Sequence, residues 1–485
     1  MNRLLEWGLL AAAVLLLAGC ATNPVNGEQD FVLMSEEQEI SLGRQYSAEI
    51  SKEMPPYEDA ALNALVQSVG EKLAAHSHRT DLIYRFTVVD STQVNAFALP
   101  GGYIYITRGL LAYLNSEAEL AAVLGHEIGH VTARHSVRQH STATVTGLLG
   151  AVLAASTGIQ GVDTLTNLAG TAIVRGYGRE HELEADRLGA EYLAKSGYDP
   201  QGMLEVVRVL KNQELFDQQV AQRENREPSA WHGLFSTHPD NDTRLREVIS
   251  AAEHLRVPDA AQTGHDSFLQ ALDGLTFGPG EDEGIVRDHH FYHKKLDLAL
   301  SFPEGWHIDN QAERIIATSP DKDGLLQVTV TDRNKRISAA EFMTQRLQLK
   351  NLQQGKVFET NGFDGYTALA DGKTPWGTRR VRYVVLLRDT RAWIFAGAAK
   401  STTSPEPHDA AIVSSAASFS ALTPEQQRLA GTEHLSIIKA PANSSYAELA
   451  RSSPLANYPE QQLRLLNGQY PDGEPAAGSW LKIVR

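Results

Sequence analysis

Val123–His135 reads VLGHEIGHVTARH, and it constrains the fold more than any other stretch of the chain. His126 and His130 lie four residues apart, with Glu127 directly after the first. On an α-helix, residues at that spacing share a face, so two imidazoles can meet one metal ion. The helix itself is well signalled. Ser116 precedes the stretch and Glu119 follows it three residues later, the pattern of a capping box, which predicts a helix beginning near Glu117. A zinc ion held there lowers the pKa of its water to about 7. A carboxylate such as Glu127 can take the proton as that water attacks an amide carbonyl. The competing reading is a solvated, histidine-rich helix face.

A catalytic zinc site needs a third protein ligand and one open position. An extended motif with glycine at 133 and histidine at 136 is excluded, because Ala133 and Ser136 stand there. The next acidic cluster after Asp163 is GREHELEADRLGAEYL, from Gly178 to Leu193, which reads as a second helix. Glu182 and Asp186 are four apart and share a face, so one can ligate zinc while the other orients a ligand histidine. Spacing alone does not choose this pair over Glu180 and Glu184. His135, His140 and His181 are close in sequence to these clusters and are expected on the surface.

The 485 residues are too many for one domain and suggest about three. A formal net charge of −15 argues against nucleic acid as a partner. The N-terminus has Arg3, an apolar core from Leu9 to Leu17, and then Leu-Ala-Gly-Cys ending at Cys20, the only cysteine. The apolar run is shorter than the ~20 residues a membrane span needs and has the shape of a secretory signal, residues 1–20. Its last four residues resemble a bacterial lipobox, which implies cleavage before Cys20 and lipid on its thiol. Ala21 in place of aspartate resembles the sorting signal for the outer membrane. Beyond it the pattern is mainly helical over 21–255, a Gly-rich acidic linker over 256–288, and strand-like over 289–421. Residues 430–485 read as strand, helix, helix, strand.

The HEIGH and ELEAD stretches together resemble the HtpX-like and CAAX-prenyl-protease family of gluzincin metallopeptidases, in its periplasmic, BepA-like lipoprotein branch. NPVNG, SEEQEISLG, VNAFALPGGYIYITRGLL and THPDNDTR resemble segments of the same branch, and the likeness covers about residues 23–255. The resemblance implies an α+β architecture, with a mainly helical peptidase domain and a small edge-strand sheet. It makes His126, His130 and Glu182 the ligands of one Zn2+, Glu127 the general base, and Asp186 the carboxylate behind a ligand. It places His238 near the zinc and Arg244 near the cleft, both as catalytic candidates; separately, a neutral His238 imidazole could fill the open zinc position and act as a brake. It makes the stretch around Gly101-Gly102 and YIYIT the edge strand of the cleft, with Asn95, Ala96 and Phe97 meeting substrate. An unpaired edge accepts an extended chain through backbone hydrogen bonds and ignores side-chain identity. The Gly- and Ala-rich apolar stretch between the two zinc helices is expected to flank or cover the cleft.

FPEGW before alternating strands resembles a small α/β domain of the PsbP type, in which Trp306 and Trp393 are expected to be core. The last body resembles a LysM-like βααβ module, a class that binds peptidoglycan, although PANSSY replaces the usual Gly-Asp-Thr opening. The expectation is therefore a zinc metalloendopeptidase held by lipid on the periplasmic face of the outer membrane, acting on misfolded or stalled envelope proteins. Two alternatives stay open: a chaperone or scaffold for outer-membrane protein assembly, and a peptidoglycan-associated hydrolase.

Overall fold

The computed structural model describes residues 20–142, 177–224, 228, 263–280, 283–311, 314–401, 404–455 and 457–485. Residues 1–19 of the expected signal, the Gly- and Ala-rich apolar stretch before Gly178, and His238 and Arg244 lie outside them. The chain divides into two compact units, one built from its length up to Phe277 together with His434–Arg485, the other from Gly278–Glu433.

In the first unit, α1 (Glu36–Glu53) starts at a complete capping box formed by Ser35 and Gln38. The helix α2 (Ala60–Ala74) starts where the Asp59 carboxylate accepts the Leu62 N–H. β1 (Cys20–Thr22) pairs antiparallel with β2 (Gln29–Phe31). A three-stranded sheet follows, from β3 (Arg85–Val89), β4 (Ala96–Leu99) and β5 (Tyr103–Thr107), in the order β3-β5-β4. β5 runs parallel to β3 and antiparallel to β4, so YIYIT is the central strand and the edges are β3 and Ala96–Leu99. The expected edge is thus one strand earlier than YIYIT. Five consecutive buried residues in β5 fit its place between two neighbours. Gly101 and Gly102 turn the chain between β4 and β5 with φ of 77° and 85°, which disfavours any residue with a Cβ.

α3 (Arg108–Tyr113) leads into α4 (Glu117–Thr132), the helix anticipated from Ser116. Ser116 accepts the Glu119 N–H, while the Glu119 carboxylate takes the Asn115 N–H. Every residue of α4 from Ala118 to Thr132 is buried, so the helix has no solvated face. Around it pack α5 (Arg179–Lys195), α6 (Gly202–Arg223) and α7 (His265–Ala271). The expected linker over 256–288 is in part structural: Phe268, Leu269, Leu272 and Leu275 are buried in the same core as α4.

The C-terminal residues follow the anticipated order, β7 (Glu433–Lys439), α8 (Tyr446–Ala450), α9 (Pro459–Leu466) and β8 (Trp480–Val484). They share one core with the residues around α4, to which they contribute Leu435, Tyr446, Leu463, Leu466 and Val484. β7 pairs with β8 and with the short strand β6 (Thr276–Phe277). Lys482 on β8 is fully buried and donates to the carbonyls of Ala112 and Leu114, at 2.8 and 2.7 Å. These carbonyls close α3 just before α4 begins. Burial pulls the Lys482 amine well below its usual range, opposed by the nearby Glu119 carboxylate.

In the second unit, seven strands form one antiparallel sheet. Their order is His307–Gln311, Arg314–Thr318, Gly324–Asp332, Arg391–Ala399, Gly377–Arg388, Phe363–Thr374 and Gln353–Thr360. The helix Asp409–Ala417 packs on this sheet through Ile412 and Ala416. Trp393 is buried and Trp306 packs at the margin of the same core, as expected for structural tryptophans.

Replacing Lys482 by methionine leaves the Ala112 and Leu114 carbonyls unpaired while keeping the bulk of the side chain. Lys482→Met is expected to lower stability by about 2 kcal/mol in urea denaturation of the full chain. An unchanged midpoint would mean that the ammonium contributes nothing net.

Candidate metal centre

α4 and α5 touch almost backbone to backbone. A Cβ built on Gly129 would lie 2.9 Å from the Ala185 carbonyl oxygen and 3.0 Å from its Cα. One on Gly189 would lie 3.0 Å from the His126 nitrogen, and one on Gly125 3.3 Å from the Gly189 oxygen. The small residues repeat at intervals of four, Gly125 and Gly129 on one helix, Ala185 and Gly189 on the other. The repeat keeps a smooth stripe on each helix and allows the close crossing. The crossing carries the acidic residues of α5 up to the histidines of α4.

His126, His130 and Glu182 meet there, with one ligand atom from each lying within 4.8 Å of the others. The two Nε2 atoms are 2.9 Å apart, and each lies 3.6 Å from a Glu182 carboxylate oxygen. Two imidazole nitrogens and a carboxylate, all buried, converge on one point, a donor set that suits zinc. A buried carboxylate and two imidazoles are costly to desolvate unless something compensates them, and a divalent cation between them would do so.

The remaining atoms of the ligands are tied from behind. Asp186 Oδ1 lies 2.8 Å from His126 Nδ1. The structure therefore brings together Glu182 and Asp186, as the resemblance implied, and gives Glu184 a different neighbour. The expectation that His135 is a surface residue is overturned: it is fully buried, with Nδ1 2.8 Å from His130 Nδ1 and Nε2 3.0 Å from Glu184 Oε2. The reason lies in the end of the helix. α4 stops at Thr132, Arg134 takes a left-handed φ of 56°, and residues 135–142 are again helical on a new axis. His181 is half-buried and stacks on His135 at 4.3 Å, and Tyr177 stacks on His130 at 4.1 Å. Tyr177 also shares a 2.6 Å hydrogen bond with Ser136. Burial lowers the His135 pKa and pushes His181 down to about 4, so both rings are held towards the neutral form. The hydrogen bond from His135 lowers the pKa of Glu184.

The C-terminal end of α4 is clamped by a buried ion cluster. Glu39 on α1 accepts from Arg79 at 2.7 Å and Arg134 at 2.9 Å, and Arg79 also reaches the Val131 carbonyl. Sequence reasoning gave these residues no role. Glu127, beside the first ligand, is 1% exposed. β4 is the edge strand on which Asn95, Ala96 and Phe97 were expected to meet substrate. Its near end is fixed by Thr107, whose N–H and hydroxyl both donate to the Asn95 carbonyl. The Asn95 Oδ1 atom is buried with no hydrogen-bond partner among the described residues, and Phe97 stacks on Tyr105 at 5.0 Å. Among the described residues no helix is long and apolar enough to cross a membrane.

Residues 60–252 match the family described as peptidase family M48. The β-barrel assembly-enhancing protease of Escherichia coli (strain K12) is 32% identical over 257 residues, which are 51% of this chain and 50% of that protein. The mitochondrial metalloendopeptidase OMA1 of Arabidopsis thaliana is 37% identical over 129 residues, 26% of each. The chain spans about half the length of the β-barrel assembly-enhancing proteases it matches. Among solved structures, the PsbP protein of Synechocystis sp. PCC 6803 aligns over 30% of this chain and 98% of its own, at 15% identity and a TM-score of 0.21.

The helix crossing predicts the outcome of a one-carbon change. Gly129→Ala improves intrinsic helix propensity by about 1 kcal/mol. The added methyl group nevertheless meets Ala185 backbone, an overpacking that costs about 1–3 kcal/mol. The expected result is a variant no more stable than the parent in thermal denaturation, with zinc affinity at least tenfold weaker as Glu182 is pushed away. Undiminished zinc affinity in a chelator competition would show that the crossing does not set the ligand distances.

Proposed function

Because residues 60–252 belong to peptidase family M48, we propose that this chain is a zinc-dependent metalloendopeptidase that cleaves misfolded or stalled envelope proteins. The observation that carries the reading is the convergence of His126, His130 and Glu182 on one buried point between two helices. In this reading those three residues hold Zn2+. When bound, the ion supplies a polarised water and stabilises charge that develops on the scissile carbonyl. Glu127, next to the ligand His126 and shielded from solvent, takes the proton of the attacking water and passes it to the leaving amine. Asp186 keeps the His126 ring oriented through Nδ1.

The substrate would lie along β4. Its edge offers main-chain partners to an extended segment, with Asn95, Ala96 and Phe97 at the start of the strand. Recognition through the backbone requires an unfolded stretch, which supports clients that have failed to assemble. The names of the relatives, β-barrel assembly-enhancing proteases, support clients in outer-membrane assembly. The lipobox-like ending at Cys20 supports lipidation there and a place on the periplasmic face of the outer membrane.

Two experiments test the reading. Glu127→Gln should keep zinc in metal analysis of the dialysed protein and lose at least 100-fold of its casein-hydrolysing activity, whereas His126→Ala should lose both. If Glu127→Gln digests casein as the parent does, the assigned chemistry is wrong, and a scaffold that only holds clients on β4 becomes the better account. Cys20→Ser should abolish incorporation of labelled palmitate in cells. Equal labelling of the variant and the parent would remove the proposed anchor.

A further inference from the structure

The ligand His126 has a carboxylate directly behind it, and the ligand His130 has another imidazole. Hydrogen-bond polarity fixes how that second arrangement must be protonated. Glu184, as a carboxylate, only accepts, so His135 Nε2, 3.0 Å away, carries a proton. In the neutral ring that this buried setting beside His181 favours, Nδ1 is then a bare acceptor. His130 Nδ1 lies 2.8 Å from that acceptor and must be the donor. Its own proton thus sits on Nδ1, and its Nε2 lone pair faces the point shared with His126 Nε2 and Glu182.

We propose that His135 and Glu184 form a positioning relay, running from Glu184 through His135 to His130, that selects the metal-binding tautomer of His130 and holds its ring in place. The wrong tautomer is the alternative it suppresses. If His135 turned its Nδ1–H towards His130, the His130 proton would move to Nε2, and no lone pair would face the metal. Two stacked rings restrict the relay further, Tyr177 on His130 and His181 on His135. Its outer end is anchored as well. Arg138 donates to the same Glu184 oxygen at 3.4 Å and lies 3.6 Å from Asp30 on the strand Gln29–Phe31. The motif that supplies the ligands is therefore served by residues beyond its last histidine, across the left-handed turn at Arg134. Neither His135 nor Glu184 touches the reacting atoms; both act through His130.

The proposal rests on the zinc-peptidase reading above, and the test separates the two. In the full chain, His135→Phe keeps an aromatic ring but removes the acceptor. His135→Gln restores an acceptor through its amide oxygen. Glu184→Ala frees His135 to adopt either tautomer. Zinc affinity is read by chelator competition, peptide hydrolysis as separate kcat and KM, and imidazole protonation by 15N NMR of the zinc-loaded protein. The expected results are a 10–100-fold weaker zinc affinity in His135→Phe, a fall in kcat with KM unchanged, and substantial recovery in His135→Gln. Glu184→Ala should weaken zinc in the same direction, and because Glu184 lies at the margin of the site this variant serves if His135→Phe does not fold. In the parent chain the 15N spectrum should show His135 protonated on Nε2. Zinc affinity within twofold of the parent in the folded variants, or a His135 protonated on Nδ1 in the zinc-loaded parent, overturns the relay. A parent chain that binds no zinc overturns the zinc reading and the relay with it.

Discussion

The contact between Gly129 and Ala185 governs the site. Helices with ordinary side chains at the crossing stand 8–10 Å apart, too far for a carboxylate on one to share an ion with two imidazoles on the other unless long side chains bridge the gap. Glycine and alanine at every fourth position allow a closer approach, which brings Glu182 and Asp186 up to the histidines. The cost is burial. Two histidines, two carboxylates and Glu127 are withdrawn from water at the crossing, a cost that mutual pairing offsets and that a cation held there would offset further. Geometry and electrostatics thus require one another. The small residues create the close contact, and the charges gathered at that contact must be compensated there.

The rest of the first unit can be understood as support for one buried helix. α4 has no solvated face, so each end needs a partner in the protein. At its start, Ser116 and Glu119 satisfy local N–H groups while Lys482 satisfies the carbonyls of the preceding turn. At its end, the Glu39 cluster holds Arg134 and, through Arg79, the Val131 carbonyl. Fixing both ends limits sliding and rotation of the helix, and with them movement of the ligand atoms.

Much of this was legible in the sequence, and the exceptions have identifiable causes. The metal helix, its cap and its two histidines follow from period and composition, because those features are local. Glu182 and Asp186 could be paired by spacing but distinguished from Glu180 and Glu184 only by family likeness, since any two residues four apart share a face. His135 was misread because five residues along a continuous helix turn by about 140° away from His130. The left-handed turn at Arg134 breaks the helix and brings the ring back, and no periodicity predicts such a break. Similarly, the turn at Gly101-Gly102 was visible, but which of its two strands lies at the edge depends on the parallel pairing with β3, a contact between distant segments. The strand-helix-helix-strand order at the C-terminus was readable. Its absorption into the core around α4 was not, because Lys482 alternates in its strand like any exposed lysine.

That absorption bears on how the protein comes into being. The unit carrying His126 is discontinuous: Gly278–Glu433 are inserted between the strand Thr276–Phe277 and the strand Glu433–Lys439, which lie side by side in one sheet. A chain is made from its N-terminus, so α4 and α5 exist long before Leu463, Leu466 and Val484 are available to complete their core. Closing that core joins segments far apart in sequence, a slow event unless the intervening residues fold first and draw its ends together. The order of synthesis therefore serves as a timer. A partial chain lacks the last strand and the Lys482 amine that meets the carbonyls of Ala112 and Leu114, so the core around α4 is completed only after translation has reached β8.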